Sequence, residues 1–215
     1  MTWNEIKSAV LQACGALLEL QGYKFIKSRS CYVKTTATGK LIVHISLTAT
    51  DHGNYYANIG CGVRNNTIEN IVNLTTTCDK SAKPYTTTIF ISSHNQWRLN
   101  TAEDRAITIA GFQAYIKDVA LPFLEKEYSF QDLSNMLNTA APGKLCEFCN
   151  SNWRFHHGLA AAKLARDNRY EELKKQYSAF LRALSNGFYF PEFERCVKNI
   201  EEIACGKSEM ALIKI

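Results

Sequence analysis

The chain has 215 residues, 46% of them hydrophobic, and a formal charge of +5 from 25 Lys+Arg against 20 Asp+Glu. That is ample for a packed core and excludes a disordered chain, and eight cysteines in a chain of this length read as reduced thiols rather than a disulfide framework. The opening residues Met1 to Lys7 lack a basic leader and Glu19 interrupts the apolar stretch behind them, so neither a signal peptide nor a membrane span is expected, and the expected compartment is the cytoplasm.

Thr2 and Glu5 have the spacing of a capping box, and Ile6, Val10, Ala13, Leu17 and Leu20 recur at three- and four-residue steps. This predicts an amphipathic helix ended by Gly22. Residues about 30 to 63 read as a β-meander. Leu41, Val43, Ile45, Leu47 and Ala49 alternate with polar-side residues, as do Tyr55, Ala57, Ile59, Cys61 and Val63, with turns at Thr38-Gly39 and Asp51-His52-Gly53-Asn54. Ile68, Ile71 and Val72 hint at a short helix. Tyr85 to Ile91 resumes β-type alternation, continued by Trp97 and Leu99 across a hairpin near His94-Asn95. A long helix should start at Thr101, with Asp104 three residues on and a stripe of Ile109, Phe112, Ile116 and Val119, until Pro122 kinks or ends it.

Beyond Ala141-Pro142-Gly143 the pattern is helical: Leu159 to Arg166, then Tyr170, Leu173, Tyr177, Phe180, Leu181 and Leu184, closed by Asn186-Gly187, then a helix opened by Pro191 carrying Phe193, Cys196, Val197, Ile200 and Ile203. The expected fold class is α+β, an antiparallel sheet covered by helices on one face in the order α-β-β-β-(α)-β-β-α over residues 1–141. An all-helical C-terminal segment, 142–215, is expected to pack on it.

The helix end Leu20-Gln21-Gly22-Tyr23-Lys24, the strand pair and the Val119-Ala120-Leu121-Pro122-Phe123-Leu124 helix end together resemble a family of bacterial domains of unknown function, the one numbered forty-three-zero-four, over residues 1 to about 135. The resemblance implies an α+β fold and no known chemistry, some relatives looking like immunity proteins of toxin systems. Type III secretion chaperones share a similar order of elements but are usually acidic, whereas here residues 1–100 carry ten Lys+Arg against five Asp+Glu.

Cys146-Glu147-Phe148-Cys149 with His156-His157 is the one cluster of metal-ligand types. Cys146, Cys149 and His156 stop short of a zinc site, because the adjacent histidines would point different ways on a helix and the spacing to them is too short. No metal and no cofactor are therefore expected; Cys146 and Cys149 fit one helix face as small hydrophobes. His44 and Cys61 fall on opposite faces of the sheet, which removes a Cys-His dyad. Phosphate loops and hydrolase motifs are missing.

What remains is the open sheet face. Pairing Tyr32 with His44, Lys34 with Ile42, Thr48 with Tyr56 and Ser46 with Asn58 would put Tyr32, Lys34, His44, Tyr56 and Asn58 on one surface, beside a depression at Gly60 and Gly62. These five are the candidate binding residues. They suggest a non-enzymatic protein-binding molecule of immunity or adaptor type that meets an acidic protein partner, with Lys24, Lys27, Arg29, Lys34 and Lys40 at its edge. A nucleic-acid module using Tyr32 and Tyr56 for stacking is the alternative, and an enzyme with its site between the two halves a second one.

Overall fold

Thr2 starts the first helix as its spacing predicts: its hydroxyl accepts the Glu5 N–H at 3.4 Å while the Glu5 carboxylate accepts the Thr2 N–H at 2.6 Å. The computed structural model describes residues 2–74, 83–149 and 153–204. In chain order the elements are α1 (Trp3–Leu20), β1 (Lys24–Ile26), β2 (Cys31–Thr35), β3 (Gly39–Ala49), β4 (Tyr55–Asn65), α2 (Asn66–Asn73), β5 (Ile89–Ser92) and β6 (Trp97–Arg98). There follow α3 (Ala102–Tyr115), a π-helical stretch (Ile116–Ala120), α4 (Leu121–Glu125), α5 (Phe130–Asn138), α6 (Trp153–Leu164), α7 (Tyr170–Ala183) and α8 (Phe190–Ala204). The fold is α+β with an antiparallel sheet, followed by C-terminal helices.

The chain divides into two units, Met1–Val63 with Phe90–Glu127 and Arg64–Ile89 with Tyr128–Ile215. The chain leaves the sheet after Asn65, and its next helix, α2, carries a carboxylate that is satisfied by the helical unit.

In the first unit the sheet runs β1-β2-β3-β4-β5, with β6 also on β4. The expected β5–β6 hairpin is absent: β6 pairs Tyr56 with Arg98 and Ala57 with Trp97 on β4 instead. One sheet face and the helices bury a common core of Val43, Ile45, Ala57 and Ile59 with Val10, Leu18, Phe112 and Leu124. The buried stripe of α1 is Ile6, Val10, Cys14 and Leu18, a run of four-residue steps, so Leu20 falls off it and is 83% exposed. Ridge spacing of four also governs α3. Phe112, Ile116, Ala120 and Leu124 are buried while Val119 is 40% exposed, because the π stretch at 116–120 widens the turn just before Pro122 and shifts the phase.

In the second unit, α5 begins at a capping box of Ser129 and Asp132, a signal present in the sequence that falls outside the expected elements. Asn138 on α5 joins the unit together: its amide donates to the Gly158 carbonyl at 3.0 Å and its oxygen accepts the Tyr177 hydroxyl at 2.6 Å. Tyr177 in turn packs against Phe155, ring centroids 4.7 Å apart. Asp167 fixes the α6–α7 turn by accepting from the Arg169 backbone and guanidinium and from Ser134 of α5.

Candidate functional site

The sheet face expected to present five side chains together does not exist as one surface. The observed register pairs Cys31 with His44, Tyr32 with Val43 and Lys34 with Leu41, one residue away from the expected pairing. The hairpin closes tightly around Ala37-Thr38, the Thr36 N–H donating to the Gly39 carbonyl and the Gly39 N–H to the Thr36 hydroxyl, each at 3.0 Å. Side chains alternate along a strand, so this one-residue slip carries Tyr32 and Lys34 to the other face. Tyr32 is 2% exposed, in the core under α1, its hydroxyl donating to the Leu11 carbonyl at 2.6 Å. The Lys34 ammonium lies over the Tyr23 ring at 5.7 Å. His44, Tyr56 and Asn58 do face away from the Val43–Ile59 core, and each is half-buried. Phe90 fills the expected depression, since a Cβ on Gly60 would lie 2.3 Å from its ring, and the His44 ring meets it edge-on. Burial holds the His44 imidazole below its ordinary range.

Cys146, Cys149 and His156 do not come together. Residues 146–149 form a turn rather than a helical face, with the Cys149 N–H bonded to the Cys146 carbonyl, and the Cys146 thiol points to the Met136 carbonyl at 3.6 Å. His156 lies between the rings of Trp153 and Phe193. Among the described residues no group of three metal-ligating side chains converges. His44 and Cys61 are indeed on opposite faces, the Cys61 sulfur 3.7 Å from the Tyr115 hydroxyl in the core.

Sequence reasoning missed a buried ionic cluster in the second unit. Glu69 sits among Ile68, Ile71 and Val72 on the apolar stripe of α2. Its carboxylate accepts from Thr86 at 2.5 Å, Thr88 at 2.9 Å and the Arg64 guanidinium at 3.3 Å, and lies 3.0 Å from His157 Nε2. The last contact is an ion pair by distance, its N–H not aligned on the oxygen. His157 Nδ1 is 2.9 Å from the Trp153 carbonyl. Burial alone would push the Glu69 carboxyl up, but His157, Thr86 and Arg64 outweigh it and hold it well below the usual carboxylate range. For His157 burial likewise opposes the charge, and Glu69 with the Trp153 carbonyl more than restores it, so its pKa is raised. With side chains 1% and 7% exposed, the cluster is closed to a substrate. It ties the 83–88 segment and α6 to α2, a structural role.

A groove of about 800 Å³ runs along α1 in the first unit. One polar stripe of the helix, Asn4, Ser8, Gln12 and Glu19, forms its outer wall, and Phe25 of β1 with Leu11 forms an apolar middle. Gly15 keeps it deep: a Cβ there would lie 2.9 Å from the Tyr32 hydroxyl, which closes the back. Two cations flank it. The Lys7 ammonium is steadied over the Trp3 ring at 5.6 Å, and Lys27 is exposed just beyond β1. No histidine, cysteine or aspartate lines it. Its sequence signal was the lysine cluster around Lys24 to Lys40, read at the sheet edge rather than against the helix.

Compared with known proteins, the chain matches no family model, and no curated protein or solved structure matches it. No described helix is long and apolar enough to cross a membrane.

Proposed function

We propose that the chain is a cytoplasmic, non-enzymatic protein-binding molecule of bacterial immunity or adaptor type, and that the groove along α1 receives an acidic part of its partner. The observation that carries this reading is the pairing of an apolar middle, Leu11 and Phe25, with two flanking lysines, Lys7 and Lys27, in one groove. An apolar anchor supplies affinity, while rim charges select the sign of the partner and speed its approach. Among the described residues Lys27 forms no ion pair, so its charge is available to a partner. The basic excess of residues 1–100 extends the same field. Burial of Tyr32 counts against a nucleic-acid role, because a ring held in the core cannot stack on a base.

The test is binding of acidic and basic random-peptide pools to wild type and to the double variant Lys7→Glu/Lys27→Glu, with a thymidine oligonucleotide as competitor. The acidic pool should bind, and the double variant, which turns two attractive rim charges into repulsive ones, should weaken it about tenfold or more. An unchanged affinity in the double variant, or full competition by the oligonucleotide, would sink this reading.

A further inference from the structure

The dimensions of the groove restrict its occupant. Its helical wall runs from Asn4 to Glu19, which at 1.5 Å per residue is about 22 Å. A volume of about 800 Å³ open to the centres of water molecules, spread over that length, leaves a channel roughly 9 Å between its walls once a water radius of about 1.4 Å is added on each side. An α-helix with its side chains is about 10–12 Å wide and would stand outside such a channel. A single extended strand rises about 3.3 Å per residue, so about six or seven residues fill its length.

The chemistry is ordered along the channel. The chain reverses at Gly22, where φ is +84°, and the Tyr23 N–H returns to the Leu18 carbonyl at 3.1 Å. β1 therefore runs back along α1 and carries Lys27 toward the half of the helix that holds Lys7. Leu11 and Phe25 occupy the middle. At the far end the Glu19 carboxylate folds over Gly15, its Oε1 3.4 Å from the position a Cβ would take there. Among the described residues Glu19 has no cationic partner. The groove is thus positive at one end, apolar in the middle and negative at the other.

We infer that the groove binds one extended peptide segment of about six or seven residues, with an acidic side chain toward Lys7 and Lys27, an apolar side chain on Leu11 and Phe25, and an amino end or other cation toward Glu19. The inference rests on the reading of this groove as the partner site. It adds that the partner presents a loop or a terminus, since a folded helix does not fit. An extended segment lies with alternate side chains in the channel and the others in solvent, so specificity falls on about three positions. Opposite charges at the two ends fix its direction.

The experiment uses the full chain and a fluorescent heptapeptide pool with two fixed glutamates, one fixed central leucine and a free amino end. The same sequences closed into a helix by a staple between positions four apart serve as the second probe. Two variants report the site: Lys7→Glu/Lys27→Glu, and Ala16→Trp, which fills the groove from an exposed helix position. Thermal unfolding of each variant verifies its fold. The expected result is that the open heptapeptides bind, that each variant weakens them at least tenfold, and that the stapled forms bind at least tenfold more weakly. Equal or tighter binding by the stapled forms, lost in the variants, overturns the extended segment and leaves the groove as the partner site. Absence of heptapeptide binding at millimolar concentration overturns the inference as well. Binding that neither variant changes overturns the groove itself, and with it the proposed function.

Discussion

His157 Nε2 stands 3.0 Å from Glu69 Oε1, and the two side chains are 7% and 1% exposed. Charges so enclosed depend on each other: removing one partner of a buried pair costs about 3–5 kcal/mol, chiefly because the other is left uncompensated. Glu69→Gln should therefore destabilise the chain by about that amount, since it strands both His157 and Arg64. Urea unfolding of wild type and variant measures it. A loss under about 1 kcal/mol would mean that water reaches the cluster in solution.

The same pair should give stability a dependence on pH with a defined sign. His157 has its pKa raised above the ordinary 6.5, so its contribution is complete below 6.5 and is lost as pH rises through the folded value. Glu69 is depressed below the ordinary 4.5, so its contribution is complete above 4.5 and is lost as pH falls through the folded value. Together they favour the window between 4.5 and 6.5. Tm measured across pH should decline above 6.5 in wild type and decline less in His157→Gln. Parallel curves for the two would show that His157 titrates alike in the folded and unfolded chain, contradicting a raised value.

Tyr32 separates the core from the open surface. Because it is buried under α1 with its hydroxyl on the Leu11 carbonyl, Tyr32→Ala should cost about 3 kcal/mol or more. Tyr32→Phe removes only the hydrogen bond and should cost about 1 kcal/mol. Tyr56→Ala, on the other face and half-buried, should stay below Tyr32→Ala. The three unfolding curves together check the register: equal losses for Tyr32→Ala and Tyr56→Ala would contradict the slip.

Much of this fold was legible in the sequence, for reasons visible in particular residues. Capping boxes at Thr2 and Thr101 act within one turn, so their spacing alone located α1 and α3. Alternation in β3 and β4 identified the core residues, because Val43 and Ile45 share one side of β3, and Ala57 and Ile59 one side of β4, however the strands are paired. Register was not legible. It turns on whether the first hairpin loop is centred at Thr38 or closes around Ala37-Thr38, a difference of half a residue in position that reverses every side chain of β2. Val119 was misplaced for a similar reason, since a π stretch leaves no mark in a stripe of apolar residues. The groove and the Glu69 cluster join residues far apart in the chain. Spacing cannot show that Lys27 returns beside Lys7, or that His157 completes the shell of Glu69.

The thiols should differ sharply in the native state. Burial pushes the Cys14 and Cys61 thiols up to about 12 and the Cys31 thiol to about 11, so little thiolate forms at neutral pH. A maleimide reagent followed by mass spectrometry should label Cys149, which is half-buried, well before Cys14, Cys31 and Cys61. After denaturation without reductant all eight should react. Cys78 and Cys205 lie outside the described residues, and their native rates carry no expectation. Any pair that resists labelling in denaturant until a reductant is added would reveal a disulfide and overturn the reduced-thiol reading.

Gly158 offers the sharpest test of how the helical unit is packed. A Cβ at this position would fall 2.2 Å from Asn138 Oδ1 and 3.4 Å from the Leu137 Cβ, the first far inside van der Waals contact. In an exposed helix the change from glycine to alanine stabilises by up to about 1 kcal/mol. Here the sign should reverse. To admit the methyl group Asn138 must move, and it would then release its bonds to the Gly158 carbonyl, the Ser134 hydroxyl and the Tyr177 hydroxyl. Overpacking and the lost buried bonds each cost about 1–3 kcal/mol, so Gly158→Ala should destabilise by about 2 kcal/mol or more. The double variant Gly158→Ala/Asn138→Ala removes the clash but not the loss of hydrogen bonds, leaving the Tyr177 hydroxyl without its acceptor. It should therefore recover part of the stability relative to the sum of the two single changes, with a coupling of about 0.5–3 kcal/mol in the direction of rescue. Strict additivity of the two substitutions would show that α5 and α6 do not approach as closely as the Gly158–Asn138 contact requires.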